Sequence, residues 1–422
     1  MTVELINTGT ELMLGRVLNS HQQWLCRQLA DLGLPVNRQC AIGDSASEIG
    51  AAVREALSRA DLVITTGGLG PTADDLTRDA LARLLGRSLH EDAATLARIR
   101  AFFVQRNRAM PERTRVQALI PDGAIVLPNL RGTAPGLAMR IDPNPFRAGK
   151  QVSWLILLPG PTRELRPLFT NEVVPLLDKI FKPPEPCICR TLRLTGVAES
   201  AVEERISPLL TEFSKSGLEI GYCARPGQVD VRLFARGIDA ERLVTDSVQV
   251  VRTQFGKNLF GENEDELETI VIHLLAKRKQ TVSIAESCTG GCIAHRLTNV
   301  PGASAVFLGG FVTYSDEAKS RFLGVKEDTL AQHGAVSEAV AREMAEGTRR
   351  VTRTDYALAV TGIAGPTGGS AEKPVGTAFI ALAEDRRTQA VRVFNPLDRM
   401  TFKEVTSNQA LELLRHALTD PA

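Results

Sequence analysis

No excess of either charge marks this chain of 422 residues: 50 Lys and Arg stand against 49 Asp and Glu, a net charge of +1, with the signs interspersed. A generic nucleic-acid or membrane-surface binder would show a basic surplus, so the balance argues against both. Long apolar runs are missing too. None approaches the ~20 residues that cross a bilayer, and Met1-Thr2-Val3-Glu4-Leu5-Ile6 lacks the charged and apolar regions of a signal peptide. The 7 cysteines are an odd set without paired zinc-ligand spacing. Cys187-x-Cys189 is too close for a metal knuckle and reads as two small side chains on one strand face. Together these absences predict a reduced, cytoplasmic protein with no membrane partner. Internal repeats, heptads and low-complexity tracts are absent as well.

What remains is an ordinary globular composition, on a chain too long for one core, so two or three domains are expected. Over residues 1–181 strand-like and helix-like segments alternate, the rhythm of a mainly parallel sheet. Leu5-Ile6-Asn7-Thr8 reads as a strand ending at Gly9. Ser20 with Gln23 and Ser45 with Glu48 fit capping boxes that open two helices. Leu62-Val63-Ile64 runs into a glycine loop, and Trp154 to Leu158 reads as a later buried strand. The proline-rich break Lys182-Pro183-Pro184-Glu185-Pro186 reads as a stiff linker. Residues 187–258 then read as strand, helix, two strands, helix. The acidic stretch Glu262 to Glu266 opens a helix by favouring the positive end of its dipole, and an α/β unit over 262–420 follows.

In that last unit Thr281-Val282-Ser283-Ile284-Ala285 is a strand and Gly291 to Leu297 a helix, with Glu286-Ser287-Cys288-Thr289-Gly290 between them. A strand-to-helix turn exposes a side chain at the strand's carboxyl end and aims backbone N–H groups at the same spot, so it can supply a nucleophile and an oxyanion or phosphate site. Taken alone, the turn is better read as an ordinary capped βα loop. Two further segments shift that balance. Phe311-Val312-Thr313-Tyr314 is a strand end followed by a helix carrying Lys319, which places Tyr314 and Lys319 at the same sheet edge. A lysine in a partly dry site can act as a general base towards serine, although most helix lysines are solvated. Ala357 to Pro366 is a third strand ending in a glycine loop, extended by Gly368-Gly369 and Lys373-Pro374-Val375-Gly376. Three such strand ends favour one cleft outside the carboxyl ends of the sheet.

Ala285-Glu286-Ser287-Cys288-Thr289-Gly290-Gly291, Val312 to Lys319, His333-Gly334-Ala335-Val336-Ser337, Val360 to Pro366 and Lys373 to Thr377, in that order, resemble the C-terminal domain of the CinA family. The resemblance implies a nicotinamide mononucleotide deamidase that needs no cofactor. It implies Ser287 as nucleophile, Lys319 as proton acceptor, and Tyr314 and Thr361 as assistants. Thr289, Gly290 and Gly291 would hold an oxyanion or phosphate, Gly362 and Gly365 the nucleotide, and Arg399 the substrate. Cys288 is the competing nucleophile on intrinsic reactivity, but neighbours in an extended segment point opposite ways. One departure is Leu397-Asp398-Arg399 with Lys403, where the family usually shows Gly-Asp-Arg and a second arginine four residues on.

Towards the N-terminus, Thr66-Gly67-Gly68-Leu69-Gly70-Pro71-Thr72-Ala73-Asp74-Asp75 is another glycine loop opening a helix. Its amides suit a phosphate, and Asp74 or Asp75 a divalent metal, while Thr72 and Asp75 also fit a capping box. With Gly9-Thr10-Glu11-Leu12, Asn129 to Gly136 and Leu158-Pro159-Gly160, this loop resembles the molybdopterin-binding fold of the CinA N-terminal domain. Departures are His21 in place of a common asparagine, an enlarged loop over Arg140 to Gly149, and Pro161-Thr162-Arg163-Glu164 after Gly160. The resemblance implies an ADP-ribose pyrophosphatase dependent on Mg, Mn or Co. Its site would comprise Glu11, Gly67, Gly68, Gly70, Thr72, Asp74 and Asp75, with the metal on Asp74 and Asp75. It further implies an α/β multidomain chain: a three-layer molybdopterin-binding-like domain over 1–181, a small α+β KH-like domain over 187–258, and an α/β deamidase domain over 262–420. A Gly-x-x-Gly clamp is not evident in the middle unit, so no nucleic-acid partner is expected. The expected partners are nicotinamide mononucleotide, ADP-ribose and a second copy of the chain. A non-catalytic pterin- or nucleotide-binding module, or a competence or DNA-repair interaction protein, is the alternative. Neither needs the Ser287, Tyr314 and Lys319 set.

Overall fold

The computed structural model describes residues 1–181 and 186–419, so all of the proline-rich break except Pro186 lies outside the described residues. Contacts divide the chain into two units, Met1–Cys187 and Ile188–Ala422.

In the first unit the strands are β1 (Val3–Thr8), β2 (Val36–Ile42), β3 (Leu62–Thr66), β4 (Leu89–Glu91), β5 (Leu119–Pro121), β6 (Ile125–Leu127), β7 (Gly136–Ile141) and β8 (Ser153–Leu158). Six of them form one sheet in the order β2-β1-β3-β8-β7-β6, while β4 and β5 pair separately. The pairs from β2 to β8 are parallel, and β7 and β6 add antiparallel edges. The helices are α1 (Thr10–Met13), α2 (Ser20–Asp31), α3 (Ala46–Leu57), α4 (Thr77–Leu84), α5 (Ala93–Val104), α6 (Thr162–Leu168) and α7 (Val174–Ile180). Strand alternation sends Ile6 and Val63 into a core with Ile49, Val53 and Leu57 of α3 and Leu81 of α4. Leu5, Leu62 and Ile64 face the opposite core, with Leu25 and Leu29 of α2, Leu165 of α6 and Leu177 of α7. The result is the expected three layers.

Local capping departs from the sequence reading. Asn19, not Ser20, caps α2 by accepting from the Gln22 amide at 3.2 Å. Ser45 does stand at the N-cap of α3, but its hydroxyl bonds to that of Ser47, so the box with Glu48 stays open on that side.

In the second unit the first sheet has the order β10-β11-β9-β12, from β9 (Cys187–Thr195), β10 (Glu219–Arg225), β11 (Gln228–Arg236) and β12 (Leu259–Glu262). Helices α8 (Glu199–Lys215) and α9 (Ala240–Phe255) share one core with it. Because β12 pairs with β9, this sheet runs on past residue 258, and the expected strand, helix, two strands, helix gains a sixth element.

The last sheet has the order β14-β13-β15-β16-β17, from β13 (Val282–Glu286), β14 (Phe307–Val312), β15 (Tyr356–Gly362), β16 (Thr377–Ala383) and β17 (Thr388–Phe394). Its helices are α10 (Leu267–Arg278), α11 (Cys292–Thr298), α12 (Asp316–Leu323), α13 (Glu327–His333), α14 (Glu338–Thr352) and α15 (Arg399–Thr419). One face of the sheet packs Val282, Ile284, Leu358 and Val360 against α10, α11 and α15. The other presents Ala285, Ala357, Ala359 and Ala381, small enough for α14 to approach closely, beside Leu323 of α12. Among the described residues no helix is long and apolar enough to cross a membrane.

Candidate active sites

Strand parity decides which side chains meet at the carboxyl end of the C-terminal sheet. Glu286 pairs with Val312 on one side and Val360 on the other. The ladder runs one step further, with the Thr313 amide donating to the Glu286 carbonyl at 2.9 Å and the Ser287 amide to the Val360 carbonyl at 3.0 Å. Thr313, Ser287 and Thr361 therefore form one row across three strand ends. They follow the parity of Ala285 and Ala359, on the face covered by α12 and α14. Cys288 has the opposite parity and lies in the other core, beside Ile284 and Ile293. There burial pushes its thiol up to about 12, which leaves it essentially without thiolate at neutral pH. Of the two adjacent nucleophiles only Ser287 faces the α12 side.

Lys319 comes from α12 on that same side and is 2% exposed, so it is not the solvated helix lysine that base rates favour. Its Nζ has two long contacts, to the Ser315 carbonyl at 3.5 Å and to Asp316 Oδ1 at 3.3 Å. Three donors with two weak partners leave capacity for a further acceptor in the site. The Thr361 hydroxyl donates to the Ala335 carbonyl at 2.8 Å, and Lys373 Nζ donates to the His333 carbonyl at 2.6 Å. Both side chains fasten the loop before α14, and the Thr361 hydroxyl is thereby committed to structure.

The glycine amides are also committed. The Glu286 carboxylate, 1% exposed, accepts from the amides of Gly291 at 3.0 Å, Ile293 at 3.1 Å and Ala294 at 2.9 Å. The positive end of α11 is thus filled from within the protein. The Gly290 amide donates to the Ser287 carbonyl at 3.1 Å. Both amides therefore build the turn itself. Glu286, given no role in the sequence reading, is the residue that shapes it. Gly291 has φ 92°, a value that favours glycine there. Gly362 and Gly365 are likewise structural in part. A side chain at Gly362 would meet Ala378, and the Gly365 carbonyl accepts from Arg399 Nη1 at 2.8 Å.

Positive charge converges on this turn from the start of α15. Arg399 Nη2 donates to the Tyr314 hydroxyl at 2.6 Å. Lys403 Nζ lies 3.5 Å from where a Gly290 side chain would begin. Tyr314 is 60% exposed and stands at the mouth, not in the buried row. Two cations one helical turn apart over a glycine turn suit a phosphate. Thr289 is fully buried, with its hydroxyl unpartnered.

In the N-terminal unit a cavity of about 360 Å³ opens at the carboxyl ends of β1, β3 and β8. This is where the chain reverses from β2 on one side of β1 to β3 on the other. Glu11, Gly67, Gly68, Gly70, Asp74 and Asp75 all line it; Thr72 does not. Thr72 instead donates its amide to Asp75 Oδ2 at 2.8 Å, and its hydroxyl bonds to the same oxygen. Since α4 begins only at Thr77, the pair closes a turn ahead of the helix and is not a capping box. Gly68, at φ 66°, has Thr77 Oγ1 where a side chain would go, so this loop packs directly on the first turn of α4. Glu164 and Gln117 join the lining without having been singled out. Burial raises the Glu164 carboxyl above its usual range, against the opposing hydrogen bond from Asn129 Nδ2 at 2.8 Å. Among the described residues no group of three or more His, Cys, Asp and Glu is arranged to hold a metal ion.

Comparison with known proteins accounts for nearly the whole chain. The family profile for the CinA C-terminal domain matches residues 264–418. That for a probable molybdopterin binding domain matches 4–179, and that for the damage-inducible protein CinA KH domain 189–261. A competence-damage inducible protein of Caldicellulosiruptor bescii is 42% identical over 424 residues, covering 100% of both chains. One from Symbiobacterium thermophilum is 46% identical over 387 residues, 91% of this chain and 88% of its own. The solved structure of competence/damage inducible protein CihA from Agrobacterium tumefaciens is 43% identical over 36% of this chain and 94% of its own, with a TM-score of 0.36.

Proposed function

We propose, for a chain that belongs to the CinA family of competence-damage inducible proteins, that its C-terminal sheet carries a nicotinamide mononucleotide deamidase. The reading rests on one observation above all. Ser287 shares a sheet face with a buried lysine, while its neighbour Cys288 is turned into the opposite core. In its amine form Lys319 accepts the Ser287 hydroxyl proton as Oγ attacks the carboxamide carbon. The tetrahedral intermediate collapses with cleavage of the C–N bond, and the proton returns from Lys319 to the leaving nitrogen, releasing ammonia. Water, deprotonated by the same amine, then cleaves the acyl-serine ester to give nicotinic acid mononucleotide. Arg399 and Lys403 receive the phosphate, and Tyr314 fixes Arg399.

The test is ammonia release from nicotinamide mononucleotide. Ser287→Ala should lose at least about 1000-fold in kcat, as loss of a nucleophile does, and Cys288→Ala should stay within a few-fold of wild type. An active Ser287→Ala protein removes this mechanism.

For the N-terminal cleft we propose an ADP-ribose pyrophosphatase yielding AMP and ribose 5-phosphate. With Asp75 Oδ2 bonded to Thr72, the residues fit no dedicated metal cage. They do fit a magnesium-like ion shared with substrate phosphates, for which one or two carboxylates suffice. Exposed Asp74 would hold it. Such an ion neutralises phosphate charge when bound, and the loop from Gly67 to Gly70 orients the phosphates.

A further inference from the structure

We propose that Thr313 is a catalytic residue of the deamidase site, its hydroxyl donating a hydrogen bond to the carboxamide oxygen as that oxygen gains negative charge. The inference rests on the amidase reading above and adds to it a residue that the Ser287–Lys319 pair does not supply.

Three observations converge on Thr313. It occupies the row of Ser287 and Thr361, one strand over from Ser287, because its amide continues the β13–β14 ladder onto the Glu286 carbonyl. Adjacent strands are about 4.8 Å apart, so the two side chains are neighbours. Parity puts it on the Ser287 side. Val312, its predecessor, lies on the α11 side, with its Cγ2 3.7 Å from where a Gly291 side chain would begin, and Phe311, two residues back, packs into the α12/α14 core. Finally, Thr313 is 1% exposed and its hydroxyl has no partner.

The contrast with Thr361 is informative. Both threonines flank Ser287, but the Thr361 hydroxyl is spent on the Ala335 carbonyl, whereas that of Thr313 is unspent. A buried hydroxyl without a partner costs stability, and a valine of the same shape would avoid that cost. Within the turn the Gly290 and Gly291 amides are already taken, by the Ser287 carbonyl and Glu286. A side-chain donor held dry beside the nucleophile serves the oxyanion. As the Ser287 Oγ–carbon bond forms, the carbonyl π pair moves onto oxygen and the serine proton moves to Lys319. Thr313 keeps its own proton and only shares it.

Steady-state ammonia release and thermal melting of the full chain should be measured for wild type, Thr313→Val and Thr313→Ser. Thr313→Val should lower kcat roughly 100-fold, the loss typical of one oxyanion donor. Its KM should stay within about threefold of wild type, and its melting temperature should be unchanged or higher. Thr313→Ser should recover kcat to within about tenfold of wild type, since it restores the donor. A valine variant that keeps more than half the wild-type kcat overturns the proposal. So does one that melts well below wild type while the serine variant does not, because the hydroxyl is then structural. A wild-type chain that releases no ammonia sinks the amidase reading and this inference with it. An active wild type with an equally active valine variant sinks the inference alone.

Discussion

Single steps at the end of β13 separate a carboxylate, a serine hydroxyl and an inert thiol, and their fates follow from which way each points. Strand alternation required Ser287 and Cys288 to point opposite ways and the resemblance chose the serine, while the structure puts Cys288 in the core on the α11 side. Glu286 was not legible in the same way. Its role depends on the amides of Gly291, Ile293 and Ala294, at the cap and first turn of α11, folding back around one carboxylate, a local closure that no periodicity announces. The orphan hydroxyl of Thr313 was hidden for the same reason, since only the packed structure shows which polar groups lack partners. Replacing Glu286 by glutamine should destabilise the C-terminal transition by about 2 kcal/mol, because a charge-assisted acceptor is lost and an NH₂ group is turned towards amides. The denaturation midpoint should fall, and ammonia release should fall with it as the Ser287 turn loosens. An unchanged midpoint would mean that the α11 N-terminus does not need this carboxylate.

At the scale of elements, α15 ties the proposed amidase site to the KH-like sheet. Arg399 and Lys403 lie at its start, over the Ser287 turn. Farther along, Asn408 donates to the Pro226 carbonyl at 2.7 Å and accepts from Gln228 Nε2 at 3.3 Å and Arg296 Nη1 at 2.7 Å. Arg415 then donates to the Lys257 carbonyl at 2.6 Å. A helix rises 1.5 Å per residue, so Asn408 acts only about 8 Å from Lys403. The sequence reading found the two ends of this relation but not the link, because Asn408 belongs to no glycine motif and its partners in the KH-like unit lie 180 and 182 residues away. It missed β12 because a four-residue strand running into an acidic helix start carries little periodicity. It also placed a helix cap at Thr72 and Asp75, where the same residue pattern closes a free turn. If α15 positions the phosphate contacts, Asn408→Ala should raise KM for nicotinamide mononucleotide about 3- to 10-fold with kcat nearly unchanged, as expected for lost uniform binding. It should also cost about 1–3 kcal/mol of stability through the unpaired Pro226 carbonyl and Arg296. A fall in kcat at constant KM would place α15 in the chemistry itself.

For the whole molecule, glycine loops at strand ends pointed from the sequence to a cleft in each unit, at the carboxyl ends of its strands. What those loops left open was how each cleft is furnished. The two are chemically unlike. The C-terminal one sets a serine in a nearly dry row on the same face as a buried lysine, with cations at its mouth. The N-terminal one is lined by Glu11, Asp44, Asp74, Asp75 and Glu164, an acidic surface on which a phosphate-bearing substrate would need a counter-cation. Each is furnished entirely by residues of its own unit, so the two activities should be separable by single substitutions in the intact chain. Asp74→Ala should lower AMP formation from ADP-ribose at least about tenfold by weakening the shared cation, while ammonia release from nicotinamide mononucleotide stays at the wild-type rate. Ser287→Ala should do the reverse. A chelator should act like the aspartate change, because the proposed serine–lysine chemistry draws on side chains alone. Loss of ammonia release on chelation, restored by added metal, would instead count against Lys319 as the base and move the search for the activating group towards the carboxylates of the same sheet edge.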